Sequence, residues 1–339
     1  MYRPRVLAAV LLVCFAAVSS GCVPSGTRVR GTVDAPSAAE SSATPVPQSS
    51  VTTEPAAPVV FAIIGDCGAA GRSEAAVAAL VASWHPKFIV TTGDNYYSQA
   101  DATGTGTGQY DVSVGAYFGD WLKDISTTGK KCPVGRAPVN AFFPTMGNHD
   151  YTSARPGPAT YLTYFTLPGT GFTSSSGNER YYDFVQGPVH FFILNSNRQE
   201  PDGKSSDSVQ AQWLRGALAA STAPWNVVVL HHPPYTSSNH HPSDPAMQWP
   251  FAAWGADVVV AGHNHDYERI MRDGIIFFVN GLGGEGTVDG FAPPVQGSTM
   301  RFADDFGAQR VTATTTTLDF EFVTTDGKAI DAVHLSANN

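Results

Sequence analysis

The sequence predicts an α/β fold, and three features of the 339-residue chain indicate it. Short apolar, β-branched segments alternate with segments of helical spacing, which is the order of β-α-β units. Several apolar segments end at Gly or His beside an Asp, Asn or second His. The C-terminal segment alternates Thr with apolar residues, which is typical of antiparallel strands. We therefore expect sheets whose strand ends carry polar side chains, where open α/β sheets bind ligands.

The elements follow from periodicity and from turn residues. Ser73 is a candidate N-cap for the first helix, and the Gly187-Pro188 break separates an antiparallel pair of strands. The predicted strands are Val59–Ile64, 87–92, 142–146, 180–184, 189–194, 227–230, Val258–Ala261 and 274–279, with a closing hairpin of 311–323 and 329–335. The predicted helices are 74–84, 110–125 and 208–220.

Five of these strands are each followed by a short motif that contains a residue able to bind a metal ion. The motifs are Gly65-Asp66-Cys67-Gly68, Gly93-Asp94-Asn95-Tyr96-Tyr97, Gly147-Asn148-His149-Asp150, His231-His232-Pro233-Pro234-Tyr235 and Gly262-His263-Asn264-His265. A single Gly-Asp after a strand is usually an ordinary turn. Five strands that each end at an Asp, Asn or His favour one metal site assembled from all of them. The donors mix oxygen and nitrogen without thiolate, which disfavours a closed structural zinc site.

The N-terminal residues predict export. Arg3 and Arg5 precede an apolar run at 6–18, which is short of the ~20 residues that span a bilayer. The small residues before Cys22 resemble a lipobox that lacks its usual Leu. We interpret 1–21 as a lipoprotein-type signal peptide, with ordinary secretion as the alternative. Residues 22–57 are rich in Ser, Thr, Pro and Ala and predict a flexible tether, so the folded domain is 58–339.

Charge and cysteine content restrict the partners and leave one question open. The 29 acidic and 20 basic residues give a formal charge of −9, which argues against nucleic acid as a partner. Cys67 and Cys132 remain in the folded domain. Export permits a disulfide between them, but two separate buried thiols are an equal alternative.

In this order, the five motifs resemble those of the calcineurin-like metallophosphoesterases. Within that superfamily they look most like the purple acid phosphatases, the tartrate-resistant acid phosphatase-like enzymes. The resemblance extends from about residue 59 to the C-terminus, so it implies that 58–339 is a metallophosphoesterase domain. It also implies a four-layer α-β-β-α sandwich of two mixed sheets, with a dimetal site at the strand C-terminal ends.

The resemblance implies a ligand set for two metal ions. The ligands would be Asp66, Asp94, Tyr97 and His265 for the first ion, and Asp94, Asn148, His231 and His263 for the second. A shared carboxylate can hold two ions ~3.5–4 Å apart. The His-x-Pro-x-aromatic form of the fourth motif selects His231 over His232, whereas Tyr96 is an adjacent alternative to Tyr97. Because a phenol has a pKa near ~10, a phenolate ligand favours iron(III) at the first position, with iron(II), zinc or manganese at the second.

The function implied by the resemblance is an exported acid phosphatase acting on small phosphomonoesters. A metal-held hydroxide would attack phosphorus in line, and a general acid would protonate the leaving alkoxide. His149 is the candidate general acid. His240 is the candidate substrate-orienting residue, with His241 as its rival. The protein would contact a membrane only through a lipidated Cys22.

Two other functions are weighed against this one. A phosphodiesterase would use the same dimetal core, and the sequence does not separate the two activities. A non-catalytic surface binding protein is disfavoured, because a decayed enzyme is expected to lose at least one ligand. Asn195 stands where relatives often place Asp, and the sequence alone does not reveal what that change does.

Overall fold

The computed structural model describes residues 57–97, 108–127, 135–151 and 158–337. The strands in this part of the chain are β1 (Val59–Ile64), β2 (Ile89–Thr91), β3 (Phe142–Phe143), β4 (Tyr182–Gln186), β5 (Val189–Ile193), β6 (Trp225–Val229), β7 (Val258–Ala261), β8 (Tyr267–Arg272), β9 (Ile275–Asn280), β10 (Ser298–Phe302), β11 (Gly307–Ala313), β12 (Thr317–Thr324) and β13 (Ala329–Ser336). The α-helices are α1 (Arg72–Ser83), α2 (Gly108–Tyr110), α3 (Ala116–Phe118), α4 (Ala159–Tyr164), α5 (Val209–Ala220) and α6 (Phe251–Trp254). A π-helical turn at Asp111–Gly115 joins α2 to α3, and a 3-10 turn spans Pro245–Met247.

The strands form two mixed sheets. The six-stranded sheet has the order β13-β12-β11-β1-β2-β3, in which β1, β2 and β3 are parallel and β11 to β13 are antiparallel. The seven-stranded sheet has the order β10-β8-β9-β7-β6-β5-β4, with β5, β6, β7 and β9 parallel. Each sheet therefore contains a group of adjacent parallel strands, whose carboxyl ends can deliver side chains to one edge.

The two sheets face each other across an aromatic core. Phe61 of β1 stacks on Phe88 at 4.8 Å between ring centroids and meets Phe191 of β5 edge-on at 5.3 Å. Phe143 of β3 stacks on Phe184 of β4 at 3.7 Å. These contacts bury apolar faces of both sheets, which is the main favourable contribution to folding.

Helices cover the outer faces. In β6, Val227 and Val229 belong to the core between the sheets, whereas Val228 belongs to a second cluster with Leu214 and Leu218 of α5. This alternation reflects the two-residue period of a strand and explains why the consecutive residues Val227, Val228 and Val229 are all apolar. Helix α1 contacts β11 of the other sheet. The predicted sandwich of two mixed sheets flanked by helices is confirmed.

Several predicted elements are confirmed and others need correction. The antiparallel pair β4 and β5 turns at Gly187, whose φ is +58°, and Ser208 caps α5 by accepting from the backbone N–H of Ala211. The first helix, however, begins after Gly71 with no side-chain cap, so Ser73 is not its N-cap. The strand predicted at 142–146 ends at Phe143, because Pro144 has no N–H for the ladder.

Two other predictions were wrong in their extent. The helix predicted at 110–125 ends at Phe118, where Gly119 follows and ends the regular hydrogen bonding. The segment 311–323, predicted as one strand of a hairpin, contains a turn at 314–316 and divides between β11 and β12. The hairpin itself is formed by β12 and β13. Strands β8 and β10 were not predicted.

Parts of the chain to which the sequence assigned roles lie outside the described residues. They include the signal peptide at 1–21, the tether except for residue 57, Cys22 and Cys132. Within the described residues, none of the helices reaches the length and hydropathy that crossing a bilayer requires.

Candidate metal centre

The predicted ligands come from both sheets and meet where their parallel strands end. Asp66, Asp94 and Asn148 follow β1, β2 and β3 of the six-stranded sheet. His231 follows β6, and His263 follows β7, of the seven-stranded sheet. The structure thus brings together side chains that are far apart in the sequence, with 199 positions (265 − 66) separating Asp66 from His265.

The backbone at this edge adopts conformations that residues other than glycine rarely take. Asp66, Asp94 and His263 have φ values of +56°, +50° and +73°. Such left-handed residues typically cost about 1–3 kcal/mol each and cluster at functional sites. Hydrogen bonds between loops hold them, since the Asp66 N–H donates to the Gly93 carbonyl at 3.1 Å and the His263 N–H donates to Asp66 Oδ2 at 2.9 Å.

Two motif glycines allow the loops to approach this closely. A Cβ atom at Gly147 would lie 2.0 Å from Asp94 Oδ1, and one at Gly262 would lie 2.5 Å from Asp66 Oδ2. Both distances are shorter than any real contact. Gly147 precedes the predicted ligand Asn148, and Gly262 precedes the predicted ligand His263. Both positions require glycine because a carboxylate of a neighbouring loop lies too close for a Cβ atom.

One group of donors surrounds Asp66. The Tyr97 hydroxyl donates to Asp66 Oδ1 at 3.1 Å and lies 3.2 Å from His265 Nε2. On the other side of the imidazole, His265 Nδ1 lies 3.1 Å from both the Thr287 carbonyl and Glu285 Oε2, so Nε2 is the nitrogen that faces Asp66. The adjacent Tyr96 instead has its ring against Tyr110, at 6.1 Å between centroids.

A second group of donors surrounds Asp94. His231 Nδ1 donates to the Thr92 carbonyl at 2.9 Å. This bond leaves His231 Nε2 as the nitrogen that faces the site, at 2.9 Å from Asn148 Oδ1 and 3.4 Å from Asp94 Oδ2. Ligand atoms of Asp66, Asp94 and His231 lie within 4.8 Å of one another. Asp94 therefore lies between the two groups.

Burial and charge shift the pKa values of the four central groups. Burial alone would raise the pKa of Asp94, but the His231 imidazole lowers it to about 2. Conversely, burial would lower the pKa of His231, and Asp94 raises it to about 9. Burial would likewise lower the pKa of His265, and Asp66 raises it to about 9. The pKa of Asp66 is raised by burial.

These observations test whether the residues fit two metal ions. Two carboxylates lie fully or almost fully buried, and in the metal-free protein they draw protons onto neighbouring imidazoles. Bound metal ions would neutralise these two carboxylates in place of the protons. Hydrogen bonds on Nδ1 present the Nε2 atoms of His231 and His265 to the site, which is how ligating histidines are usually oriented. The donor set fits two metal ions, with Asp94 located between the two groups of donors.

The two predicted catalytic histidines have different positions. The backbone N–H of His149 donates to Asp94 Oδ1 at 2.8 Å, and its exposed ring lies 4.4 Å from the Tyr97 ring. The His240 side chain is 59% exposed and pairs with Asp289 Oδ1 at 3.1 Å. Its rival His241 stacks on His263 at 4.1 Å. His149 thus lies against the centre and His240 at its rim.

The match to known families accords with this geometry. The family model for the calcineurin-like phosphoesterases matches residues 59–267. The chain belongs to this family. Purple acid phosphatases 23 and 22 of Arabidopsis thaliana are 27% and 28% identical to it, over 62% and 67% of the chain. These alignments cover 48% and 49% of the plant proteins, so the chain spans about half the length of these curated relatives.

A solved structure supports the fold of this calcineurin-like phosphoesterase. The purple acid phosphatase from yellow lupin (Lupinus luteus) seeds aligns with a TM-score of 0.62 at 18% sequence identity. The alignment covers 83% of this chain and 54% of the lupin chain. The resemblance read from the five motifs is confirmed.

The structure also reveals supporting residues to which the sequence assigned no role. Asp150 is fully buried and accepts from the Gly147 N–H at 2.8 Å, Asn95 Nδ2 at 3.0 Å and the Tyr110 hydroxyl at 2.9 Å. Burial raises its pKa to about 7. These bonds fix the loop that carries Asn148. Asp150 was visible in the third motif, but only its contacts show that it faces away from solvent.

Asn195 and Asn197 hold the same loop from the other side. Asn195 Nδ2 donates to the Tyr151 hydroxyl and to Glu200 Oε2, each at 2.6 Å. Asn197 Nδ2 donates to the Gly147 carbonyl at 3.2 Å and to Asn195 Oδ1 at 3.0 Å. The Asn195 amide supplies donors that an Asp at that position would lack. Asn197 gave no signal in the sequence because its partner is 50 residues away.

Proposed function

We propose that this chain is a dimetal acid phosphatase that hydrolyses phosphomonoesters. The observation that carries the proposal is the position of Asp94 between the Asp66 group and the Asn148 and His231 pair. A carboxylate shared between two donor groups suits a pair of ions that clamps one phosphoryl group. Membership of the family and likeness to named purple acid phosphatases support the reaction class.

The proposed metals are iron(III) at the Asp66, Tyr97 and His265 group and iron(II), zinc or manganese at the second. The Tyr97 hydroxyl, placed between Asp66 and His265, supports this choice, since a phenolate ligand calls for a strong Lewis acid. His263 completes the second group in the proposal. When bound, the two ions supply Lewis-acid activation of water and neutralise charge on the phosphoryl oxygens.

The protein's own residues position the substrate and move protons. His149 is exposed beside Tyr97 and Asp94, so its side chain can reach the leaving-group oxygen and donate a proton to it. His240 lies at the rim and is oriented by Asp289, whose Oδ2 also accepts from the His265 N–H at 2.8 Å. We assign proton donation to His149 and substrate orientation to His240.

Compartment and partners are part of the same proposal. The apolar run at 6–18 and Cys22 support export, either as a lipoprotein anchored through Cys22 or as a secreted protein. The formal charge of −9 argues against nucleic acid as a substrate, and small phosphorylated molecules would be attracted by the local charge of the metal centre.

The test compares phosphomonoester and phosphodiester hydrolysis by the purified full chain from pH 4 to 9, alongside metal analysis. Nitrophenyl phosphate and bis-nitrophenyl phosphate are suitable probes because both release the same product. We expect faster monoester hydrolysis at acid pH and about two metal ions per chain. A strong preference for the diester would establish a phosphodiesterase, and absence of both activities in the metal-loaded protein would refute an enzymatic role.

A further inference from the structure

His232 is the residue that the fourth motif set aside in favour of His231, yet the structure places it at the metal centre. Its ring centroid lies 4.9 Å from that of His231 and 4.4 Å from that of His263. Ring nitrogens of the three residues lie within 4.8 Å of one another. The nearness of this third imidazole raises the question of whether it binds a metal ion or the substrate.

The hydrogen bonds of Ser196 answer that question. Ser196 is fully buried, and its Oγ accepts from the backbone N–H of His232 at 2.8 Å. The same Oγ lies 2.8 Å from His232 Nδ1. A hydroxyl carries a single hydrogen, and buried hydroxyls almost always donate it. Among the described residues, His232 Nδ1 is the acceptor that hydrogen-bond geometry provides for it.

This bond determines which nitrogen of His232 carries the proton. Because Nδ1 accepts from Ser196, the hydrogen of the neutral imidazole is on Nε2. A protonated Nε2 cannot bind a metal ion, but it can donate a hydrogen bond. The opposite tautomer would free Nε2 for a metal ion and would leave the buried Ser196 hydroxyl without an acceptor.

We propose that His232 is a phosphate-binding residue, which donates its Nε2 hydrogen to a phosphoryl oxygen of the substrate. Ser196 is a positioning residue that acts through His232 by selecting its tautomer. The inference rests on the proposed phosphatase function and extends it, because the predicted set of substrate-contacting residues contained only His149 and His240. The ligand that His232 recognises is the phosphoryl group itself, not the alcohol attached to it.

The experiment uses the metal-loaded full chain, with inorganic phosphate as the probe in isothermal titration calorimetry. His232→Ala should weaken phosphate binding ~10- to 100-fold, as expected for one hydrogen bond to a charged group. His232→Gln retains an N–H donor and should recover much of the affinity. Losses of kcat/KM should be similar for nitrophenyl and alkyl phosphates, because the bond does not involve the leaving group.

Ser196→Ala distinguishes the tautomer mechanism from a general structural role. It should weaken phosphate binding nearly as much as His232→Ala, and the double variant should be little worse than either single variant. Metal content should remain at the wild-type value in all three. His334→Ala, which alters an exposed histidine on β13, is the matched control and should bind phosphate normally.

Three results would overturn the proposal. Loss of a metal ion in His232→Ala would make His232 a ligand. Unchanged phosphate affinity would remove it from the substrate site, and additive effects of the two substitutions would remove Ser196 from the mechanism. If the wild type neither binds phosphate nor hydrolyses phosphomonoesters, the proposed function fails together with this inference. If the wild type does both, failure of the variants to respond refutes the role of His232 alone.

Discussion

His231 donates its Nδ1 hydrogen to the Thr92 carbonyl at 2.9 Å, and this one bond links the two sheets at the metal centre. Thr92 directly follows β2 of the six-stranded sheet, whereas His231 follows β6 of the seven-stranded sheet. The bond also orients His231 Nε2 toward Asp94 and Asn148. The same contact thus joins the two sheets at this edge and orients a predicted metal ligand.

The first prediction concerns Tyr97 and the colour of the protein. If Tyr97 binds iron(III) as phenolate, the iron-loaded chain should show a broad visible charge-transfer band. Tyr97→Phe should abolish the band, because of the two adjacent tyrosines it is Tyr97 whose hydroxyl reaches Asp66 and His265. Tyr96→Phe is the matched control and should retain it, since Tyr96 packs against Tyr110. A colourless, iron-free wild type with full activity on zinc would refute the assignment.

The second prediction separates His149 from His240. A general acid matters most for a poor leaving group such as an alkoxide, and its loss typically costs ~10²–10⁴-fold. His149→Ala should therefore reduce kcat/KM on alkyl phosphates far more than on nitrophenyl phosphate. His240→Ala should reduce kcat/KM on the two substrates by similar factors, because a contact that binds the phosphate does not depend on the leaving group. Steady-state kinetics of the two variants decide the matter, and the reverse pattern would exchange the two roles.

The third prediction concerns pH and the metal-free protein. The pKa of His231 and of His265 is raised to about 9 in the folded protein, against ~6.5 in an unfolded chain. The folded state therefore holds extra protons between these pH values. Their contribution to the free energy of unfolding is complete below about pH 6.5 and is lost as pH rises through about 9.

Metal ions compete with these protons. Metal uptake should release protons, and metal affinity should rise with pH between about 6.5 and 9. Calorimetry of metal binding in buffers of different ionisation enthalpy measures the proton release. An affinity that stays constant over this range would show that the two imidazoles do not bind metal.

How much of this site the sequence predicts depends on where each residue lies. Asp66 and Asp94 could be found because parallel strands deliver the residues after them to one sheet edge. His232 and Asn197 could not, since their roles depend on contacts with Ser196 and with the Gly147 carbonyl that only the folded loops create.

The fold, too, has elements that the sequence predicts and elements that it does not. Strands β6 and β7 contain the apolar runs 227–229 and 258–261, which both sequence and structure assign, with small differences at the ends of β6. The turn between β11 and β12 was missed because residues 314–317 are four consecutive Thr, a residue type with high strand propensity, and include neither Gly nor Pro. In the structure, Thr314 Oγ1 accepts from the Thr317 N–H at 2.8 Å and closes that turn. A side-chain hydrogen bond of this kind has no periodicity to reveal it.

The fourth prediction concerns the proposed membrane anchor. Cys22→Ala removes the residue that would carry the lipid, so the full-length protein should move from the membrane to the soluble fraction. Its specific activity should stay the same, because residues 58–339 hold the predicted site. Cell fractionation with an activity assay measures both. If the wild type is already wholly soluble, Cys22 is not lipidated and simple secretion is the answer.

The most direct measurement counts the metal ions of wild type and Asp94→Asn while following phosphomonoester hydrolysis in the same samples. Asp94→Asn preserves shape but removes the negative charge between the two groups of donors. We predict about two ions per wild-type chain, loss of at least one in the variant, and a fall in turnover of more than ~100-fold, since even residues that only orient a ligand often account for 10–100-fold. A variant that keeps both ions and ordinary turnover would contradict the dimetal account.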